Sequence, residues 1–184
     1  MEFITTLPAL EERYGAPGEA SLAKVARRMT PAYRAWIGRS RLCILSTVGP
    51  EGTDASPRGD DVPVVTEIDP GTLAMPDWRG NDRIDSLRNI VRDPRVSLMF
   101  FVPGSNNVVR VNGRARITAD GPLRKTFAKG GNLPRTVILI EIAEIYTQCA
   151  RALMRAGIWS GEDETDGLPS VGDILKEMTE GRFD

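Results

Sequence analysis

Histidine is missing from the 184-residue sequence. Its absence excludes a Ser-His-Asp triad, a Cys-His pair and any metal site with imidazole ligands. Cysteine is almost as scarce, and Cys43 and Cys149 lack the CxxC spacing of a sulfur-ligated metal site. In a cytoplasmic chain, two such cysteines are expected to be buried free thiols rather than a disulfide. If the protein is an enzyme, a bound organic cofactor is therefore the expected source of its chemistry.

Other absences exclude whole classes of protein. The sequence has no run of about 18 apolar residues, which argues against a membrane span. Its first residues lack the basic and apolar regions of a signal peptide, so a cytoplasmic location is expected. Lys and Arg number 24 against 25 Asp and Glu, and this net charge of −1 gives no electrostatic footprint for nucleic acid. GxGxxG and P-loop motifs do not occur, which disfavours nucleotide binding through those loops.

Helical patterns stand at the two ends of the chain and between the strand-like runs. Ser21 is expected to cap a helix over SLAKVARRM, and Thr30 followed by Pro31 is typical of the start of a second helix. Ile84, Leu87, Ile90 and Val91 follow one another at helical spacing, which predicts a helix over 83–91. Further helices are predicted near 122–129, 148–158 and 170–179.

The middle of the chain is made of short apolar or alternating runs broken by glycine and proline, including RLCILSTV, RVSLMFFV and RTVILIEIAEIYTQ. Between positions 109 and 117, apolar residues alternate with Arg110, Asn112, Arg114 and Arg116, as in a half-solvated antiparallel strand. Six or seven such strands predict a mainly β fold, a small closed or partly closed antiparallel barrel with peripheral helices. We expect one domain over 1–184, with helices at 1–40, the barrel at 41–148 and helices at 149–184.

Two polar clusters are candidate sites. One is SPRGD at 56–60, directly after a predicted strand, and the other is PDWRGNDR at 76–83, which leads into a predicted helix. In the second, Gly80 and Asn81 tolerate left-handed backbone, while Arg79 and Arg83 supply cationic forks, a combination suited to a phosphate monoester. The alternative is a solvated loop capped by Asn81 or Asp82, with its arginines paired to Asp77 and Asp85. SPRGD taken alone is equally compatible with a surface turn.

Each of these segments alone is a weak indication of a family, but their joint presence in this order is specific. RLCILSTVGPEGTDASPRGD, PDWRGNDRIDSLRNIVRDPRVSLMFFVPG, VVRVNGRARIT and YTQCARALMRAGIW resemble the pyridoxamine 5′-phosphate oxidase-like family of FMN-binding split barrels. Within that family, the chain is most similar to a bacterial subgroup whose substrates are largely unassigned. The resemblance runs from about residue 32 to the end of the chain. It implies a split antiparallel β-barrel, a homodimer, and two flavin sites at the subunit interface.

The resemblance also implies a set of FMN-binding residues. Arg58, with Ser56 beside it, stands where the family presents an arginine to the FMN phosphate, and Arg83 matches the basic residue that completes the phosphate clamp. Pro76 and Asp77 fall at the edge of the isoalloxazine ring. The remaining candidates are Arg79, Gly80 and Asn81 near the clamp, Ser86 as a supporting hydroxyl, Arg110 reaching the partner's cofactor, and Trp159. Trp159 is either a wall of the flavin or substrate pocket or an interface or core tryptophan.

One departure bears on activity. True pyridoxamine phosphate oxidases end in a basic, histidine-containing segment that grips the substrate phosphate, whereas this chain ends in LPSVGDILKEMTEGRFD. We therefore expect an FMN-dependent oxidoreductase that acts on a different small molecule, with NADH or NADPH as a candidate electron partner. Two alternatives stay open: a flavin-binding or flavin-sensing protein without turnover, and an enzyme that uses a deazaflavin or heme. The missing histidine disfavours histidine-ligated heme.

Overall fold

The computed structural model describes residues 1–182, and an antiparallel sheet organises that part of the chain. Its strands are β1 (Leu42–Gly49), β2 (Gly52–Gly59), β3 (Thr66–Asp69), β4 (Thr72–Asp77), β5 (Arg95–Phe101), β6 (Val108–Thr118) and β7 (Thr136–Gln148). The strand order is β2-β1-β5-β6-β7-β4-β3, and every neighbouring pair is antiparallel. The predicted mainly β architecture is confirmed. The last two residues of the predicted 149–184 segment lie outside the described residues.

Short helices lie between and beyond the strands: α1 (Leu7–Glu11), α2 (Glu19–Ala23), α3 (Pro31–Ile37), α4 (Asp85–Arg92), α5 (Gly121–Lys125), α6 (Arg151–Arg155) and α7 (Val171–Met178). The Thr30 hydroxyl accepts a hydrogen bond from the Tyr33 N–H, which confirms the predicted start of α3. The helix predicted over SLAKVARRM is wrong. Ser21 lies inside α2, and Ala26 instead exchanges backbone hydrogen bonds with Ile145 of β7. Extended pairing with the sheet therefore replaces the helix at that point.

Two further helix predictions need correction. β7 continues to Gln148 because its backbone pairs with Val108 of β6, so the helix predicted over 148–158 is confined to α6. The helix predicted over 83–91 begins only at Asp85, since Ile84 has left-handed backbone with φ 52°. Cys149 was expected to be buried but is exposed, because it follows the end of β7. Cys43 is buried, as predicted.

One face of the sheet forms the hydrophobic core. Alternate residues of the central strands point to this face and are fully buried, among them Leu45, Leu98, Phe100, Val111 and Ile140. The side chains between them point the other way, as the period of two of a β-strand requires. On that outer face the register aligns Ile44, Met99, Arg110 and Tyr146 in one row across β1, β5, β6 and β7.

Curvature brings the two ends of the sheet together. β2 is the first strand in the order and β4 is the sixth, yet the Arg58 guanidinium lies 2.6 Å from the Asp77 carboxylate. Side chains, rather than a backbone ladder, join these two strands. The sheet is therefore a barrel that remains split between β2 and β4, and the split is where a ligand can enter.

Candidate functional site

A cavity of about 790 Å³ opens at this split. The last residues of β2 and β4, the first residue of β7, and the loop leading into α4 form its walls. The lining residues include Asp54, Ser56, Arg58, Asp77, Trp78, Gly80, Asn81, Asp82, Arg83, Asp85, Ser86, Arg135 and Thr136. Strand ends that converge on one opening hold polar side chains on rigid backbone. The cavity is therefore the candidate site.

Arg58 is the best-defined donor in the cavity. Its Nη1 donates to Asp77 Oδ1 over 2.6 Å, and the two side chains are only 22% and 11% exposed. Its Nε is buried and lacks a hydrogen-bond partner, and the same holds for Thr136 Oγ1 at the start of β7. Buried polar atoms are almost always paired in native proteins, and leaving one unpaired costs about 1–3 kcal/mol. Both residues line the cavity, where a ligand that displaces these side chains slightly would satisfy the two atoms.

The loop leading into α4 is strained. Asp82 and Ile84 both have left-handed backbone, with φ of 61° and 52°, whereas the residues expected to tolerate this conformation were Gly80 and Asn81. A β-branched residue in this region is an outlier that costs on the order of 1–3 kcal/mol. Asp82 accepts a hydrogen bond from Arg135 over 2.6 Å, and this ion pair ties the loop to the start of β7.

Each cationic group in the cavity already has an anionic partner. Arg83 pairs with Asp85 over 2.9 Å, and this pair is largely exposed. Arg58 and Arg135 pair with Asp77 and Asp82, as described above. The Ser86 hydroxyl is buried and donates to Asp54 Oδ2 over 2.5 Å. Three arginines and four aspartates give the lining a formal charge of −1, so an anionic ligand has to replace carboxylates on these arginines.

The indole of Trp78 belongs to a second group of contacts. Trp78 Nε1 donates to Asp60 Oδ2 over 3.3 Å, and the Lys129 ammonium lies 5.7 Å from the centroid of the indole ring. Lys129 also forms ion pairs with Asp60 and Asp61. The interaction with the Asp60 side chain and the hydrogen bond from Lys129 lower the pKa of the Asp61 carboxyl to about 2, and Asp60 and Asp61 in turn raise the pKa of Lys129.

Arg110 lies elsewhere, on the outer face of the sheet. Its guanidinium carbon is 5.4 Å from the centroid of the Tyr146 ring, and its Nη1 donates to Gln148 Oε1 over 3.1 Å. Its Nε is buried and unpaired, like that of Arg58. Trp159 is also outside the cavity, where its Nε1 donates to the Ser105 carbonyl over 2.9 Å.

The structure thus brings together most of the predicted site residues. Those that line the cavity are Ser56, Arg58, Asp77, Gly80, Asn81, Arg83 and Ser86. Pro76 lies in β4 opposite Val137, Arg79 is exposed on the loop, and Arg110 and Trp159 are remote from the cavity. The solvated-loop alternative paired Asp77 with an arginine of the same loop. In the structure Asp77 instead pairs with Arg58 of β2.

Sequence reasoning missed Asp54, Trp78, Arg135 and Thr136. Arg135 and Thr136 reach the cavity because β7 pairs with β4, which places Thr136 opposite Asp77. The only available signal was their position as a polar pair directly before the apolar run VILIEI. Trp78 stood within the quoted PDWRGNDR segment, and its aromatic ring was the signal that went unused.

Two kinds of site are not found within residues 1–182. No group of three or more cysteine, aspartate or glutamate side chains there is arranged to hold a metal ion. No helix in the same range has the length and apolar character needed to cross a bilayer.

Comparison with known proteins places this geometry in context. The family model of pyridoxamine 5′-phosphate oxidase matches residues 29–149. No curated protein matches the sequence. Among solved structures, HupZ of Group A Streptococcus has a TM-score of 0.52 and 20% identity, covering 65% of this chain and 93% of HupZ. A Lactobacillus delbrueckii protein with the provisional name pyridoxamine 5′-phosphate oxidase has a TM-score of 0.51 and 22% identity, covering 66% and 95%. These likenesses confirm the split-barrel fold.

Proposed function

The chain belongs to the pyridoxamine 5′-phosphate oxidase family, and from this membership we propose that it is an FMN-dependent oxidoreductase acting on a small molecule. The observation that carries the proposal is the cavity at the split of the barrel. It holds three arginines and two buried polar atoms, Arg58 Nε and Thr136 Oγ1, that have no partner. An elongated anionic ligand with hydrogen-bonding groups matches this lining.

The residues present fit a flavin phosphate. Arg58 pairs with Asp77 through Nη1 while its Nε is buried and unpaired, so the guanidinium has to turn from Asp77 to bind an oxyanion with both groups. Arg83 is exposed enough to turn away from Asp85 at little cost, because exposed ion pairs contribute at most about 1 kcal/mol. In this proposal Arg58 and Arg83 hold the phosphate, and Ser56, Gly80 and Asn81 line the approach to it.

The chain's own residues would bind and orient the cofactor rather than carry out acid–base chemistry. A bound flavin supplies hydride transfer at its ring, which needs no catalytic side chain. Asp77, next to Pro76 at the end of β4, is held in place by Arg58. Ser86 fixes the start of α4 against β2 through Asp54, so it positions the loop that carries Arg83.

We further propose a cytoplasmic homodimer in which the flavin sites lie at the interface. Ile44, Met99 and Tyr146 form a row of half-buried side chains on the outer face of the sheet, with Arg110 among them. An apolar row that keeps part of its surface exposed supports a covering contact supplied by a second chain. In the dimer, Arg110 and Trp159 would approach the partner's cofactor.

A second candidate is a flavin-binding protein without turnover. Its support is that all four carboxylates lining the described cavity are engaged: Asp54 by Ser86, and Asp77, Asp82 and Asp85 by arginines. Such a lining binds a ligand without offering a free acid or base.

One experiment separates these candidates. The absorbance spectrum of the purified protein, with FMN added to saturation and the excess removed, tests for a bound flavin, and anaerobic mixing with NADH or NADPH then tests for reduction. We expect flavin bands that bleach on mixing. A yellow protein that does not bleach with either donor supports the binding protein, whereas a colourless protein contradicts FMN binding. Deazaflavin offered in place of FMN distinguishes the two cofactors by their spectra.

A further inference from the structure

Trp78 is the aromatic member of the cavity lining within the described part of the chain. It follows β4 directly, and its side chain is half buried. The arginines and aspartates of the lining suit the charged end of a ligand but offer nothing to a flat ring. An indole in the same cavity provides a surface on which a planar heteroaromatic ring can stack.

The indole is held at both its edge and its face. At its edge, Nε1 donates to Asp60 Oδ2 over 3.3 Å. The Lys129 ammonium lies over the ring, 5.7 Å from its centroid, but Lys129 does not line the cavity. The cation thus contacts the ring from outside the cavity. Trp78 itself lines the cavity.

Lys129 is itself fixed in place. Its ammonium forms ion pairs with Asp60, whose side chain is 10% exposed, and with Asp61. Its backbone closes a tight turn with Asn132: the Lys129 N–H donates to the Asn132 carbonyl over 3.0 Å, and the Asn132 N–H donates back over 2.8 Å. Gly130 and Gly131 between them have φ of 54° and 83°, which glycine adopts without strain. The turn therefore fixes the backbone of Lys129, and the two ion pairs hold its ammonium beside Asp60 and Asp61.

We propose that Trp78 is the stacking surface for the flavin ring and that Lys129, through Asp60, is the residue that positions it. This inference rests on the proposed function. It assigns the flavin ring to Trp78, whereas the phosphate is assigned to Arg58 and Arg83. A side chain already held in its bound orientation loses little conformational freedom when the ligand binds, and that preorganisation raises affinity.

Riboflavin and FMN titrations test the stacking role, because riboflavin has the ring without the phosphate. Trp78→Leu removes the ring and Trp78→Phe keeps an aromatic face. We expect Trp78→Leu to weaken both ligands by the same factor, about tenfold, as stacking on an aromatic side chain does for nucleobases, and Trp78→Phe to weaken them by less. If Trp78→Leu leaves both affinities unchanged while the wild type binds FMN, stacking is wrong and the proposed function stands. If the wild type binds neither flavin, the proposed function fails and the stacking role with it.

The positioning role has a readout that needs no ligand. In a chain whose single tryptophan is Trp78, made by Trp36→Phe and Trp159→Phe, we expect Lys129→Met to lower the fluorescence anisotropy of Trp78. Lys129→Arg should keep the anisotropy at the wild-type value, because Arg keeps the charge. Lys125→Met is the matched control: Lys125 is exposed on α5, and its substitution should leave the anisotropy unchanged. Unchanged anisotropy in Lys129→Met would overturn the positioning role.

Flavin affinity provides the second readout for Lys129. We expect Lys129→Met to weaken FMN and riboflavin alike, by less than Trp78→Leu does, while Lys125→Met has no effect. Circular dichroism checks that each variant folds. Lys129→Met could fail to fold because it leaves the Asp60 carboxylate without its cation. In that case the double variant Lys129→Met with Asp60→Asn, which has no such carboxylate, is used instead of Lys129→Met in both measurements. Equal affinities in the folded variant and the wild type would contradict the proposal.

Discussion

Two arginines in this molecule share an unusual feature and differ in their surroundings. Arg58 and Arg110 each have a buried Nε without a hydrogen-bond partner. Arg58 lies in a cavity built by its own chain and is neutralised by Asp77. Arg110 lies on the outer face of the sheet, where it contacts the neutral side chains of Tyr146 and Gln148. From this difference we propose that one chain builds the phosphate site around Arg58, whereas Arg110 serves a site that a second chain completes.

The largest contrast we expect is in thiol reactivity, since Cys43 pairs with Arg58 across two strands and Cys149 follows Gln148, which contacts Arg110. Burial raises the pKa of the Cys43 thiol to about 12, and the nearby Arg58 charge opposes this only in part. A pKa about three units above the ordinary value leaves about a thousandfold less thiolate, the reactive form, at neutral pH. Cys149, next to Gln148, is exposed.

Titration with a thiol reagent measures this contrast. We expect one rapidly reacting thiol per native chain and two after denaturation, with Cys149→Ser removing the rapid reaction. Because the Cys43 pKa is raised, its reactivity should stay low as the pH rises through 9 and increase only in more alkaline solution or on unfolding. Two rapid thiols in the native protein would contradict the buried environment assigned to Cys43.

Arg58→Ala should have the largest effect on FMN affinity. Removing a charge-assisted contact to the phosphate is expected to cost about 1.5–3 kcal/mol, or roughly 10- to 150-fold in Kd. Riboflavin affinity should be nearly unchanged because riboflavin has no phosphate. Calorimetric titration of both ligands measures the difference.

A control is needed because Arg58→Ala leaves Asp77 buried without its partner. The double variant Arg58→Ala with Asp77→Asn removes that unpaired charge, and thermal unfolding followed by circular dichroism shows whether each variant is folded. Retention of wild-type FMN affinity in the folded double variant would mean that the phosphate does not bind at Arg58.

Arg110→Ala tests the other half of the comparison. We expect a dimer of twice the 20.2 kDa chain mass by light scattering in the wild type, and a loss of FMN affinity in the variant of about 1–2 kcal/mol. If the variant stays dimeric with full FMN affinity, Arg110 is removed from the site but the dimer stands. A wild-type monomer that binds FMN tightly would contradict the shared site altogether.

Arg83→Ala should have a smaller effect than Arg58→Ala. The Arg83 side chain is 77% exposed and gives up an ion pair with Asp85 when it binds phosphate, so its net contribution is expected to be about 1 kcal/mol or less. Arg79→Ala is the matched control, since Arg79 is exposed on the same loop and does not line the cavity. An Arg83→Ala loss that equals or exceeds the Arg58→Ala loss would reverse the assignment of the two residues.

The β architecture could be predicted because its signals are local. The alternation around Arg110 and the apolar runs of β1, β5 and β7 identify strands without knowledge of their partners. The cavity could be predicted only in part. Arg58 and Arg83 stand in recognisable segments, but Arg135 and Thr136 reach the site through the pairing of β7 with β4, which no local pattern records. The left-handed backbone of Ile84 opposes its own conformational preference, so propensity could not have located it.

The structure of the FMN complex tests the central claim most directly. We predict that the FMN phosphate lies within hydrogen-bond distance of the Arg58 guanidinium, with Arg83 turned from Asp85 toward it. The cavity between β2 and β4 would then enclose the flavin. An FMN molecule bound elsewhere, with Arg58 contacting Asp77 alone as it does without ligand, would contradict the assignment of the cavity as the cofactor site.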